Sequence, residues 1–216
     1  MDQQLELSAA SAFAAEKLGN GGGCHDLDHT FRVLANAEKL LAVYPQADEF
    51  CVKMAVWLHD VARPLEDEQS GKCCHAELGA KIAEKYLETR NFPADLRKKI
   101  CGAVLRHRFR GNIYPETLEE KIVFDADKLD SLGAVGLGRA FLFAGKCGAR
   151  LHNTKDEALN SPAYSVEDTA YREYLVKLSK LPEVMQTEAA RKTADERVKF
   201  MAEFFSTLEE EIRQTK

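Results

Sequence analysis

The chain has 216 residues, of which 45% are hydrophobic and 30% charged, with a formal net charge of -5. That length suits one sizeable domain, expected over residues 1–216, and the composition is that of an ordinary soluble globular protein with no basic surface for a nucleic-acid polymer. No apolar stretch reaches the roughly 18 residues of a membrane span, and Met1 to Ala15 lacks the basic start and apolar core of a secretory signal. The expected location is the cytoplasm.

Apolar spacing is helical nearly everywhere, so the expected fold class is all-α. An opening helix is predicted at about Gln3 to Lys17, followed by a break from Gly19 to Gly23 that lacks the Gly-Lys-Ser/Thr of a phosphate-cradling loop. Asp28 is the expected N-cap of a helix from His29 to about Val43, and another is predicted from about Ala47 to Val61. A looser stretch from Arg63 to Cys74 carries Pro64 and Gly71, and helices follow at about His75 to Thr89 and Pro93 to His107. Thr117 to Glu120 has the form of a capping box, and the helix it starts carries Asp125, Asp127 and Asp130. Its apolar stripe is Leu118, Ile122, Ala126, Leu129 and Gly133; periodicity does not choose among the three carboxylates. From Gly145 to Pro162 the pattern is irregular, and amphipathic helices at about Val166 to Leu178 and Pro182 to Arg213 end the chain.

One segment is energetically anomalous. His59 and Asp60 stand side by side in a run with no other polar residue from Met54 to Ala62. Burying such groups costs about 2–7 kcal/mol per unpaired polar group, and more for an ion, unless a partner satisfies them. A metal ion is an economical partner, because neutral imidazole and carboxylate are both ligands and the cation offsets the buried charge. The chain has six histidines, and five of them, His25, His29, His59, His75 and His107, lie in its first half. Two imidazoles and two carboxylates with water suit Mn²⁺, Fe²⁺, Co²⁺, Ni²⁺ or Mg²⁺ better than a closed zinc site. The six cysteines include no Cys-x-x-Cys, and reduced thiols are expected, the adjacent Cys73 and Cys74 included.

The order His…His-Asp…Asp on successive helices resembles the HD-domain phosphohydrolase superfamily. His25 to Val33 resembles that family's first-histidine segment with His29 in the ligand position, and Trp57-Leu58-His59-Asp60-Val61 resembles the doublet that names it. Asp125 to Phe141 resembles the closing segment of the small stand-alone bacterial HD nucleotide pyrophosphohydrolases, with Asp127 as last ligand. The resemblance covers about residues 24–143, and helices at about 163–215 would pack on that core. It implies a helical bundle in which His29, His59, Asp60 and Asp127 hold a divalent ion, Mn²⁺ first among the candidates. It also implies hydrolysis of a soluble nucleotide, a nucleoside triphosphate cleaved to monophosphate and pyrophosphate by metal-activated water. Asp60 is thereby assigned to the catalytic set as well as to the ligands.

Lys128, Arg32 and Arg139 lie within the matched segments as phosphate contacts, although Arg32 is equally placed for a helix-surface ion pair with Glu38. His75 and His107 complete an order like that of HD proteins with two metals, which include phosphodiesterases and di-iron oxygenases. They are read as ligands of a second ion, as phosphate contacts lining the pocket, or as helix-terminal surface residues. His25 is expected to precede the helix and to orient Asp26 or substrate, and Asp26 is itself a candidate substrate contact; His152 is expected at the surface. Glu66 and Asp67 are placed to orient water or act as general acid, with a solvated charge pair as the plainer alternative. Asp130 is a candidate for orienting a ligand or touching a sugar hydroxyl. A nucleotide-binding HD module without turnover is the remaining alternative.

Overall fold

A computed structural model of the chain describes residues 1–19, 26–68, 73–108 and 113–214, and among these every regular element is helical. The expected His25 contact lies outside the described residues. Two compact units are distinguished, residues 1–127 and 128–216, so the division falls inside the segment expected to form one core.

In the first unit, α1 (Gln3–Leu18) is capped by Asp2, whose side chain accepts from the amides of Gln4 and Leu5. Next comes α2 (Leu27–Val43), which starts one residue before the expected cap: Asp26, not Asp28, caps it, accepting from the His29 amide at 3.0 Å. The Asp-Leu-Asp sequence offers two caps, and use of the earlier one makes His29 the third residue of the helix rather than the first. At the centre lies α3 (Glu49–Leu58), capped by Asp48 and buried at Phe50, Cys51, Val52, Met54, Ala55, Val56, Trp57 and Leu58. A helix apolar on nearly every side must be enclosed; α1, α2, α5 (His75–Thr89) and α6 (Ala94–Arg106) enclose it.

The third helix ends three residues before the expected Val61. Pro64 has no N–H to give the Asp60 carbonyl, so the Arg63 amide takes it at 2.8 Å and the chain tightens into a turn before α4 (Arg63–Glu68). The loose stretch expected from Arg63 therefore begins as a short helix. Between α5 and α6 the chain reverses through Asn91, whose φ of 58° is a left-handed conformation that asparagine tolerates better than most residues. The capping box predicted for α7 (Leu118–Leu129) forms: Glu120 N donates to Thr117 Oγ1 at 3.3 Å, and Thr117 N to Glu120 Oε2 at 3.2 Å.

The second unit contains α8 (Gly133–Lys146), α9 (Lys155–Asn160), α10 (Ala170–Val176), a 3₁₀ turn at Leu178–Lys180, α11 (Leu181–Val184) and α12 (Glu188–Arg213). Against α8 pack α10 and α12. The final helix expected from Pro182 breaks in two because Thr187 starts a new one, accepting from the Ala190 amide at 3.3 Å. Likewise α9 interrupts the stretch read as irregular, on a second capping box formed by Thr154 and Glu157.

Two glycines of α8 give a paired stability test. A Cβ on Gly136 would lie 2.2 Å from the Ser131 carbonyl oxygen, whereas one on Gly138 would meet nothing within 4 Å. Gly136→Ala should lower stability by about 1–3 kcal/mol despite alanine's better helix propensity, and Gly138→Ala should be neutral or gain up to about 1 kcal/mol. Thermal denaturation of the two variants measures the difference; equal melting temperatures would mean that the α8 start is looser than described.

Candidate metal centre

Helix ends build the centre. His59 caps the end of α3 and His107 the end of α6, and each ring turns back onto the carbonyl three residues earlier: His59 Nδ1 to Val56 O at 2.7 Å, His107 Nδ1 to Val104 O at 2.6 Å. A carbonyl only accepts, so we assign the ring hydrogen to Nδ1 in both, which leaves Nε2 with a bare lone pair. These bonds also use carbonyls that the last turn of a helix leaves without an amide. His75 opens α5, and its Nδ1 lies 2.6 Å from Glu66 Oε2, so its hydrogen too is assigned to Nδ1. Gly79 of α5 packs close to the same region, where a Cβ would meet the His59 carbonyl oxygen at 3.4 Å, an ordinary contact distance.

The Nε2 atoms converge in two groups, with Asp60 between them. His29 Nε2 lies 3.3 Å from His59 Nε2, 3.3 Å from Asp127 Oδ1 and 3.6 Å from Asp60 Oδ2. The other carboxylate oxygen, Asp60 Oδ1, lies 3.3 Å from His75 Nε2 and 3.6 Å from His107 Nε2, and those two nitrogens are 3.1 Å apart. Asn36, seven residues after His29, helps set Asp127 by donating from Nδ2 to the Ala126 carbonyl at 3.1 Å. Within the set His29, His59 and Asp127, and within the set Asp60, His75 and His107, one ligand atom per residue lies within 4.8 Å of every other.

The electrostatics match a cation rather than a proton network. Burial lowers the His59 pKa to about 4 against the opposing charge of Asp60, and lowers that of His75 to about 3. Both rings are therefore neutral near pH 7, with Nε2 of His59 facing that of His29 and Nε2 of His75 facing that of His107. Two bare nitrogens 3.1 Å apart repel unless a cation lies between them and shares both, so the donor set of imidazole nitrogen and carboxylate oxygen fits divalent ions.

Burial would raise the Glu66 carboxyl, but hydrogen bonds from Arg108 and His75, and the charge behind them, outweigh it and hold its pKa down at about 2. Its contacts are Arg108 Nη1 at 2.5 Å, His75 Nδ1 at 2.6 Å and Arg63 Nη1 at 3.1 Å. An ionised carboxylate in that setting has no proton to give near neutrality, which argues against the general-acid half of the expectation and leaves its role in orienting water open; nor is it solvated, being 4% exposed. It orients His75.

The structure thus brings His29, His59, Asp60, Asp127, His75, His107 and Glu66 together. His75 and His107 are 4% and 2% exposed, so their reading as surface residues fails. Asp26 uses Oδ1 on the α2 cap. Arg32 is half-buried on α2, and Asp67 lies in α4. In the second unit, Arg139 Nη1 donates to Asp130 Oδ2 at 2.7 Å, so the two residues read as phosphate and ligand contacts hold each other; Lys128 is half-buried there, and His152 is exposed as expected. The five described cysteines, Cys51, Cys73, Cys74, Cys101 and Cys147, form no disulfide with one another. Sequence reasoning missed Arg63 and Arg108, although one stands three residues after Asp60 and the other directly after His107.

An enclosed His-Asp doublet with histidines from neighbouring helix ends and a closing aspartate defines an HD domain; the HD domain family model matches residues 26–132, and this chain belongs to the HD-domain phosphohydrolase family. It is 33% identical over 196 residues to the uncharacterized protein YpgQ of Bacillus subtilis (strain 168), covering 87% of this chain and 84% of YpgQ. The crystal structure of YpgQ in complex with ADP is similar to it with a TM-score of 0.74 at 27% identity, over 98% of this chain and 97% of that one. An HD-superfamily hydrolase from Bacillus thuringiensis is similar with a TM-score of 0.74 at 26% identity, over 98% of both chains. No helix among the described residues is long and apolar enough to cross a membrane.

Proposed function

We propose that this protein hydrolyses nucleoside triphosphates to monophosphate and pyrophosphate with a divalent ion, Mn²⁺ first, held by His29, His59, Asp60 and Asp127. The observation that carries the reading is the buried convergence of His29 and His59 on Asp60 Oδ2 and of His75 and His107 on Asp60 Oδ1, with Asp127 Oδ1 3.3 Å from His29 Nε2. The complex of YpgQ with ADP supports a nucleotide as ligand. A second position made by Asp60, His75 and His107 is favoured by the facing Nε2 atoms of the two histidines.

A bound divalent ion would bring the pKa of water toward neutrality and offset charge on the phosphoryl oxygens. The protein's own part is orientation: Val56, Val104 and Glu66 fix three rings by their Nδ1 hydrogens, so the ligand atoms are set before anything binds. In the reaction, water oxygen attacks the α-phosphorus and the bond to the α–β bridging oxygen breaks. Pyrophosphate leaves with that oxygen, and one proton is released.

The test is chelation followed by add-back of Mn²⁺, Mg²⁺, Co²⁺, Ni²⁺ or Fe²⁺ on a nucleotide panel, with products separated by chromatography and ions counted by mass spectrometry. Monophosphate and pyrophosphate should appear with Mn²⁺. Release of inorganic phosphate, or no turnover with any ion, would overturn the reading; oxygen uptake with two irons per chain would replace it with oxidative chemistry.

A further inference from the structure

We propose that the second unit carries a binding site for a small aromatic acid, one planar ring system bearing a carboxylate or a phosphate. A cavity of about 320 Å³ is lined by the segment from Arg150 to Glu157, by α10 and by the end of α12. All of its lining residues lie within 150–213, outside the stretch that the HD domain family model matches, and none belongs to the metal centre. The site is therefore independent of the triphosphate reading.

Its floor is apolar by sequence. Phe205, Leu208 and Ile212 recur at steps of three and four, which sets them on one face of α12. Tyr171 of α10 completes the floor, its ring 5.1 Å from that of Phe205 and tilted by 46°, and Tyr174 supports Phe205 from 5.0 Å. Phe205 is buried, whereas Leu208 and Ile212 are half-buried on the same face, so apolar surface remains for a ligand to cover. Rings meet other rings in tilted or edge-on geometry with a gain beyond area burial, which favours a planar ring over an alkyl chain. Small-molecule pockets run from roughly 300 to 1,000 Å³, and this one, at the lower end, has room for a single ring system and its acid group.

The rim is polar and fastened in place. Arg150 N donates to the Val166 carbonyl at 3.0 Å, and Asn153 donates to the Glu167 carbonyl at 3.0 Å while accepting from Thr169 Oγ1 at 2.8 Å. Both glutamates that line the cavity are engaged: Glu157 by the Thr154 amide at 2.7 Å and by Arg150 at 2.8 Å, and Glu209 by Arg213 at 2.5 Å. What the rim offers a ligand is donors. Lys155 makes no ion pair among the described residues, and the Tyr171 hydroxyl makes no hydrogen bond among them. Acids already engaged beside a cation that is not select an anion, which the ammonium binds by a charge-assisted hydrogen bond.

The experiment is titration calorimetry of the full chain with indoleacetate and AMP, which carry the two kinds of acid on a ring, and with adenosine, acetate and inorganic phosphate, which carry one half each. One indoleacetate should bind per chain. Lys155→Glu should weaken it about tenfold, the effect of losing one charge-assisted hydrogen bond, and Leu208→Trp, which fills the cavity, should abolish it. Asp60→Ala should leave it unchanged. Displacement of indoleacetate by AMP would identify phosphate esters as ligands of the site, and its absence would identify carboxylates. Displacement by adenosine, acetate or phosphate as effective as that by a ring-bearing acid overturns the proposal, as does the absence of indoleacetate binding. Binding that is lost in Asp60→Ala and kept in Lys155→Glu overturns it too, by assigning the probe to the metal centre. A dimer in sedimentation that Leu208→Trp dissociates would give the cavity to a second copy of the chain instead. Lys155 is exposed, so Lys155→Glu, checked by circular dichroism, carries the comparison if Leu208→Trp fails to fold.

Discussion

Asp60→Ala should remove bound metal from both ligand groups and lower turnover by about a thousandfold or more, since loss of a mere supporting hydrogen bond to a ligand costs about 10–100-fold. The reason is geometric. Asp60 Oδ2 faces His29 and His59 at 3.6 Å, while Oδ1 faces His75 at 3.3 Å and His107 at 3.6 Å, so one carboxylate serves both sides. Asp127→Ala removes an oxygen from the His29 and His59 group alone. Metal analysis should therefore separate the two variants: Asp60→Ala without bound ion, Asp127→Ala retaining occupancy at the Asp60, His75 and His107 position. Asp60→Asn keeps the shape and discards the charge, which shows whether charge is what the centre needs. Helicity by circular dichroism should survive in all three, and wild-type metal content in Asp60→Ala would refute the shared-carboxylate reading.

Acid should destabilise the metal-free protein, and the sign follows from proton linkage. His59 and His75 have folded pKa values lowered by burial to about 4 and about 3, while the unfolded chain protonates them near the ordinary value of 6.5. Between 6.5 and those lower values the unfolded state binds more protons, so stability falls as pH falls. From pH 6.5 to 5 each ring costs about 2 kcal/mol, and the two together should lower the melting temperature by roughly 10 °C for a chain of this size. A divalent ion at a hundredfold over its Kd adds about 2.7 kcal/mol at neutral pH, and protons compete for the same nitrogens as the pH drops. The gap between loaded and chelated melting curves should therefore close toward pH 5. A melting temperature that stays level from pH 7 to 5 without metal would mean that the rings are charged in the fold.

The doublet was legible because a polar pair in an apolar run has few explanations, and α3 proved to be buried around most of its circumference. Capping chemistry was legible too. The Thr117 and Glu120 box formed as read, and the Thr154 and Glu157 box carried the same signal in a stretch dismissed as irregular. Helix ends were less readable: two aspartates competed to cap α2, and Pro64 acted on α3 from a distance by withholding its amide from Asp60. The arginine cluster was not legible at all. Its meaning depends on α4, the start of α5 and the end of α6 meeting at Glu66, and no local pattern encodes that meeting. For the same reason the bond between Asp130 and Arg139 was not foreseen.

The bonds that turn His59 and His107 back onto their own helices have an entropic consequence. Ordering a mobile side chain at a binding site costs about 0.5–1.5 kcal/mol each, and here the polypeptide meets that cost when it folds. Both rings are fixed by carbonyls of the helices that carry them, independently of any ion. Ion binding then needs little rearrangement, so the identity of the resident metal follows the relative supply and intrinsic preference of the ions more than the ability of any one of them to organise the site.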